Sequence, residues 1–323
     1  MSRSTYRPGW HLGCVTLALA LFLTVEARSD SFTNLFSTHF EVSEGYDAVY
    51  ELIGQKGWVT TDGASYGGNG LLTNWLGSQA AFIGLFPLDP VADSLSVWQP
   101  INFAPLSAGK PLVTFKVNMS IIDSTTTNRD DFYWSVYNSA GLRLFTLDFY
   151  NVDLGIYYIL DGTNDFAYTG YTFSNDVPYA LTLTMDFARN SWSAALDKVL
   201  LLTNQPITTV NAIRDLGDID AVWSVYTPSK PGDNFMAFDD YQVSAQALAT
   251  PIARLDILAY NDNGRVALRL NGTSGARFAI ETSTNWLQWT SLKTNTATDG
   301  SFDFVDTQSP RTATRFYRAR LVP

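Results

Sequence analysis

Three features of the sequence predict an all-β protein, a sandwich or barrel of short strands. Runs that alternate apolar and polar residues, rich in aromatic and β-branched types, recur along the chain. Clusters of Gly, Asn, Asp and Pro separate them, as turns between strands require. Helical periodicity is nearly absent between 30 and 323, and the one plausible helical turn is "TTVNAIRDLGD" at 208–218.

Taken in order, an apparent first strand lies in "FSTHFE" (36–41) and a long alternating run in "PLVTFKVNMSII" (111–122). "DFYWSVYN" (131–138) turns through "NSAG" into "LRLFTLDFY" (142–150), and "GIYYILDG" (155–162) closes on Asp161-Gly162. "YALTLTMDFARNSWSAALD" (179–197) reads as two strands joined at 188–190, and "NFMAFDDYQVSA" (234–245) is the last strong strand. Small residues and Pro251 then mark a linker at 246–251, dividing a domain at 28–245 from a small β-domain at 252–323.

Residues 1–27 read as a secretory signal peptide: two arginines, an apolar run over 12–25, and Val25-Glu26-Ala27 at a small-residue cleavage site. The run is too short for a membrane span, and no later segment is long enough after cleavage. Cleavage removes Cys14 and His11, so the mature chain keeps no cysteine and only His39. That excludes disulfides, thiolate nucleophiles, cysteine-bound zinc and any two-histidine site. It leaves 19 basic against 30 acidic residues, a formal charge of −11. Such a balance is not built to coat nucleic acid or an anionic membrane. The charge is uneven: 28–251 carry 10 basic and 24 acidic residues, whereas 252–323 carry 9 and 6.

The tetrapeptide WSVY occurs twice, at 134–137 and 223–226, with unlike flanks. Alternation puts Phe132, Trp134 and Val136 on one face of the first strand, and Ala221, Trp223 and Val225 on one face of the second. Each strand is expected to bury its Trp. Tyr133, Tyr137 and Tyr226 then face solvent as candidate ligand-binding residues, since flat aromatic rings suit the apolar faces of sugars.

"HFEVSEGYDAVYELIGQKGW" at the start, the 179–207 strand pair and the closing "GDNFMAFDDYQVSA" resemble the concanavalin A-like lectin/glucanase superfamily over about 36–245. The resemblance implies a jelly-roll β-sandwich. In related jelly-roll carbohydrate-binding modules a structural calcium ties the first and last strands, and the resemblance implies one here, with Glu41 and Asp240 at the matching positions and Asp239 as neighbouring ligand; hard cations take such oxygen donors. The more general rule is that neighbouring aspartates on a strand, Asp130-Asp131 and Asp239-Asp240, point to opposite faces. "LDGTNDF" (160–166) reads as an Asx-rich turn rather than a calcium loop. Glucanases of the superfamily use a Glu-x-Asp-x-x-Glu strand, and the mature glutamates, Glu41, Glu44, Glu51 and Glu281, do not have that spacing.

The C-terminal "RFAIETSTNWLQWTSLKTNTATDGSFDFVDTQSPRTATRFYRARLVP" is similar to a small β-domain at the ends of exported proteins of some environmental bacteria, with Trp286 where that pattern usually has Leu. The resemblance implies a module for surface attachment or sorting. Together these readings predict a secreted or cell-surface, non-catalytic protein that binds a polysaccharide or cell-surface glycan and not nucleic acid, with no catalytic residues assigned. A polysaccharide lyase or hydrolase on the same fold, or a purely structural envelope protein, are the alternatives.

Overall fold

The computed structural model describes residues 32–61, 67–248, 253–260, 265–308 and 315–322. The expected leader and its cleavage site lie outside the described residues. Two compact units emerge, one spanning Asp30–Leu248 and the other holding Ala249–Pro323. Among the described residues no helix is long and apolar enough to cross a membrane.

The larger unit is built from fourteen described strands. The first seven are β1 (Thr33–Thr38), β2 (Asn69–Trp75), β3 (Ser78–Gly84), β4 (Ser94–Val97), β5 (Leu112–Ile122), β6 (Asp131–Tyr137) and β7 (Arg143–Tyr150). The rest are β8 (Gly155–Leu160), β9 (Ala167–Thr172), β10 (Tyr179–Asp186), β11 (Ser191–Leu196), β12 (Val199–Pro206), β13 (Asp218–Ser224) and β14 (Phe235–Gln246). They form two antiparallel sheets packed as a jelly-roll β-sandwich. One runs β12-β11-β10-β5-β14-β3-β2, with β1 also on β14; the other runs β4-β13-β6-β7-β8-β9. The expected helical turn at 208–218 is irregular instead, because side chains claim its backbone. Asp161 accepts from the Thr208 and Thr209 hydroxyls, and Thr208 Oγ1 from the Ala212 N–H. Asp161 therefore serves as a structural anchor, as the Asx-turn reading of its segment implies.

The core between the sheets is aromatic. Trp134 and Trp223 are both fully buried. Register explains why: Trp134 pairs with Ala221 and Trp223 with Phe132, so the inward residues of β6 and β13 lie side by side. Trp134 packs within 5.1 Å of Phe115 and 5.5 Å of Phe238, ring centre to ring centre, and Trp192 stacks on Phe145 at 3.9 Å. The two WSVY segments thus solve one packing problem on adjacent strands, with each Trp facing the small or flat partner opposite.

The smaller unit has two three-stranded antiparallel sheets. Its strands are β15 (Ala253–Tyr260), β16 (Val266–Gly272), β17 (Arg277–Ser283), β18 (Thr290–Thr296), β19 (Ser301–Asp306) and β20 (Phe316–Leu321). The sheets run β15-β16-β19 and β18-β17-β20 around a core of Val266, Leu268, Leu270, Phe278, Ile280 and Ala297.

Replacing Trp134 or Trp223 by Ala opens a large cavity and is expected to cost about 3 to 5 kcal/mol. Denaturant unfolding of each variant measures it. A loss below about 1 kcal/mol would show that the core does not rest on these rings.

Candidate functional site

The outer face of the six-stranded sheet collects the three tyrosines that the sequence nominates. With Trp134 and Val136 turned inward, Tyr133, Ser135 and Tyr137 must turn outward, opposite Val222, Asp220 and Asp218 of β13. Past Ser224 the chain leaves the sheet and is caught by Asp130. This buried carboxylate accepts hydrogen bonds from Trp223 Nε1 (3.2 Å) and from the backbone N–H groups of Tyr226 (3.0 Å) and Gly232 (2.8 Å). Tyr226 is thereby set at the rim with its side chain 52% exposed.

Tyr133, Tyr137 and Tyr226 line one groove of about 540 Å³, together with Ser94, Ser96 and Arg143. At its floor the Ser135 and Thr146 hydroxyls share a 2.7 Å hydrogen bond. Burial pushes the Tyr133 hydroxyl up to about 12, against a hydrogen bond with Ser224. The expectation that Tyr133 and Tyr137 face solvent as Tyr226 does needs correcting: both are half-buried, and burial, beside Asp220 for Tyr137, raises their pKa values. The outer face is not bare. Carboxyls and tyrosine rings form a second layer on it, so outward-facing does not mean solvated.

That layer contains groups which the sequence analysis missed. Asp148 lies opposite Tyr133 in β7, fully buried, and neither of its carboxyl oxygens has a hydrogen-bond partner among the described residues. Burial, with Asp131 and Asp153 nearby, pushes its pKa up to about 9. Asp131 is raised to about 7 by burial, although it accepts the Asn151 N–H (2.7 Å) and the Tyr226 hydroxyl. Asp218 and Asp220 hydrogen-bond each other, and burial raises both. Tyr150 contacts Tyr157 and Tyr226 at 5.7 and 6.2 Å, and Tyr157 contacts Tyr168 at 5.1 Å. The Tyr226 hydroxyl end is drawn into this cluster; its desolvation there, with a hydrogen bond to Tyr150, holds its pKa above the usual tyrosine range. Alternation places these residues outward but does not say that their neighbours bury them.

The expected metal ligands lie on the other sheet. β14 pairs with β3 through Phe238 and with β1 from Tyr241 onward, and a bulge separates the two segments. Asp240 sits in it at φ +53°. The bulge breaks alternation, so Asp239 and Asp240 do not point to opposite faces as the strand rule implied. One ligand atom from each, with one from His39, lies within 4.8 Å of the others. His39 Nδ1 stands 2.5 Å from Asp240 Oδ1, and Asn118 Nδ2 donates to Asp240 Oδ2 at 2.6 Å. The hydrogen bond to Asp240 is the main cause of a raised His39 pKa. Burial raises Asp239 to about 6. Glu41 stands outside this trio and accepts from Ser78 Oγ at 2.6 Å; the same hydroxyl is within hydrogen-bonding reach of Asp239. Asp130 and Asp131, by contrast, diverge as the strand rule predicts.

No family model matches the chain, and no curated protein matches it. Among solved structures, a sialidase matches 65% of this chain at 9% identity and TM-score 0.45, and the match spans 18% of that protein. Cellulose induced protein Cip1 matches 67% of this chain and 99% of its own length, at 13% identity and TM-score 0.46. A galectin-like protein from Bacillus subtilis matches 67% and 98%, at 12% identity and TM-score 0.45. At this level of likeness neither ligand nor activity follows, and both must be argued from the site.

Asp131 and Asp148 have folded pKa values above the ordinary carboxylate range, so the native state holds protons that the unfolded chain releases. Stability from these two groups is therefore full below about pH 4 and falls as pH rises, until Asp131 has ionised near 7 and Asp148 near 9. Melting followed from pH 5 to 9 (about the span between these values) should show that decline. Asp148→Asn should flatten it and raise melting by several degrees at the alkaline end. An unchanged profile in Asp148→Asn would mean that Asp148 is not held protonated.

Proposed function

We propose that the larger unit binds a polysaccharide or cell-surface glycan, without catalysis, along the groove of the six-stranded sheet, and that it does so outside the cell. The observation that carries this reading is convergence: Tyr133, Tyr137 and Tyr226 come from two chain segments and line the same groove. Its other walls are hydroxyl-bearing, with Ser94, Ser96, Ser135, Thr146 and Ser224. Rings offer flat apolar faces to the C–H side of a sugar, and hydroxyls exchange hydrogen bonds with its rim. Tyr226, the most exposed of the three, is the principal platform.

A glycan array probed with the protein and with Tyr226→Ala tests the reading. The wild type should select a defined glycan set, and Tyr226→Ala, assayed well below its melting temperature, should bind it about fivefold to tenfold more weakly, the size of one aromatic contact. Absence of selective binding would remove the proposal. Release of unsaturated uronate or reducing ends from a bound glycan would replace it with an enzymatic one.

We also propose that the β14 bulge holds a structural calcium. Asp239 and Asp240 supply adjacent carboxylates, and Glu41 stands across the Ser78 hydroxyl. A ligand confined to the folded state stabilises by about 2.7 kcal/mol at a hundredfold excess over its Kd. Melting should therefore be higher in calcium than in chelator, and the difference should vanish in Asp240→Asn. Equal melting in the two conditions would dismiss the ion.

A further inference from the structure

The smaller unit displays aromatic surface that its own core does not use. Trp286 is 49% and Leu287 85% exposed, and neither belongs to the cluster around Leu268 and Phe278. Trp286 packs 4.2 Å from Phe316 and 6.1 Å from Trp289, and the Arg318 guanidinium lies 4.2 Å over the Trp289 ring. Arg318 and Arg320 both bond the buried carboxylate of Glu281, through Nε at 2.8 Å in each case. Two guanidiniums against one carboxylate leave a positive charge beside the exposed indole, in a unit with 9 basic and 6 acidic residues.

The turn carrying Trp286 is held in shape before any ligand arrives. Asn285 Oδ1 accepts the N–H groups of Leu287 (3.0 Å) and Gln288 (2.9 Å), and Trp289 Nε1 donates to the Trp286 carbonyl (3.1 Å). Trp286 itself sits at φ +64°, a conformation costly for a bulky residue and natural for Gly or Asn. The Asn285 turn and the Phe316 contact hold that conformation and leave about half of the indole in solvent, where a ligand can stack on it beside the arginines.

We infer that this patch is a second binding site, for an anionic polysaccharide of the polyuronate class. The Trp286 face takes a sugar ring, and the guanidinium N–H groups of Arg320 and Arg318 that Glu281 does not use take a carboxylate. The rigid turn lowers the ordering cost of binding. The site lies in the other unit from the tyrosine groove, and its case stands whether or not that groove binds glycan.

Titration calorimetry of the full chain with polygalacturonate, and with dextran as the uncharged counterpart, tests the inference. Binding is expected for polygalacturonate alone and should weaken as sodium chloride is raised, since salt screens the guanidinium–carboxylate attraction. Trp286→Gly keeps the turn, because glycine takes positive φ without strain, and Arg320→Gln removes the charge while keeping an amide donor. Each should weaken binding about tenfold; Trp286→Gly should do so without lowering the melting temperature, whereas Arg320→Gln, which takes a partner from Glu281, should melt somewhat lower while remaining folded. Equal affinity for both polymers, or unchanged affinity in both variants, would overturn the inference. So would a loss of binding confined to Tyr226→Ala, which would place the polymer in the tyrosine groove. Self-association of the wild type that disappears in Trp286→Gly would reassign the patch to contact between copies.

Discussion

Much of the larger unit turns on one buried carboxylate. Removing an ionised carboxyl from water costs several kcal/mol unless donors replace the lost hydration. Asp130 gathers three, an indole N–H and two backbone N–H groups, and its own carbonyl accepts from Asn151 and Asn234 side chains. These bonds tie the start of β6, the turn after β7, the end of β13 and the approach to β14. Gly232 is required for that closure, since a Cβ there would lie 2.8 Å from the Asn128 carbonyl oxygen. The same carboxylate fixes Trp223 inside the core and Tyr226 at the rim of the groove. Core packing and the candidate binding surface are therefore set by one group.

The two faces of the six-stranded sheet obey different physics. The inner face is dry and apolar, and its Trp and Phe rings interlock with those of the opposite sheet. The outer face is polar by composition, yet burial raises the pKa values of the Asp131, Asp148, Asp218 and Asp220 carboxyls that lie among its tyrosines. Raised pKa values favour the protonated forms, and a proton held by Asp148 lowers the negative charge beneath the tyrosine rings. Ionising the layer would set several like charges close together in a poorly solvated space.

The fold class was legible because strand periodicity survives at the positions that matter most. The inward set Phe132, Trp134 and Val136 and the inward pair Ala221 and Trp223 follow from alternation alone. The tyrosines could be placed on the opposite face by the same rule, but the half-burial of Tyr137 could not, since it depends on which strands become neighbours. Asp148 reads in sequence as an ordinary outward aspartate; its burial comes from Tyr133 on β6 and Tyr157 on β8, which pairing brings to either side of it. Asp239 and Asp240 were nominated together, but their convergence with His39 was hidden for a different reason. A bulge adds one residue to a strand and shifts the pattern that sequence reading relies on, and nothing local marks Asp240 as the residue that adopts positive φ.

The split edge of β14 also imposes an order on folding. Its first half is paired by β3 and its second by β1, so Thr38 and Tyr241, about two hundred positions apart, meet across the same ladder. A chain emerging from its N-terminus makes β1 first and can use it last. Until β14 arrives, β1 and β3 have no strand between them and β5, and the aromatic interior around Phe40, Trp58 and Tyr241 stays open. Closure of the sandwich is thus a late, long-range event with a large loop entropy to overcome, the regime in which β-rich domains fold slowly and expose strand edges while they wait.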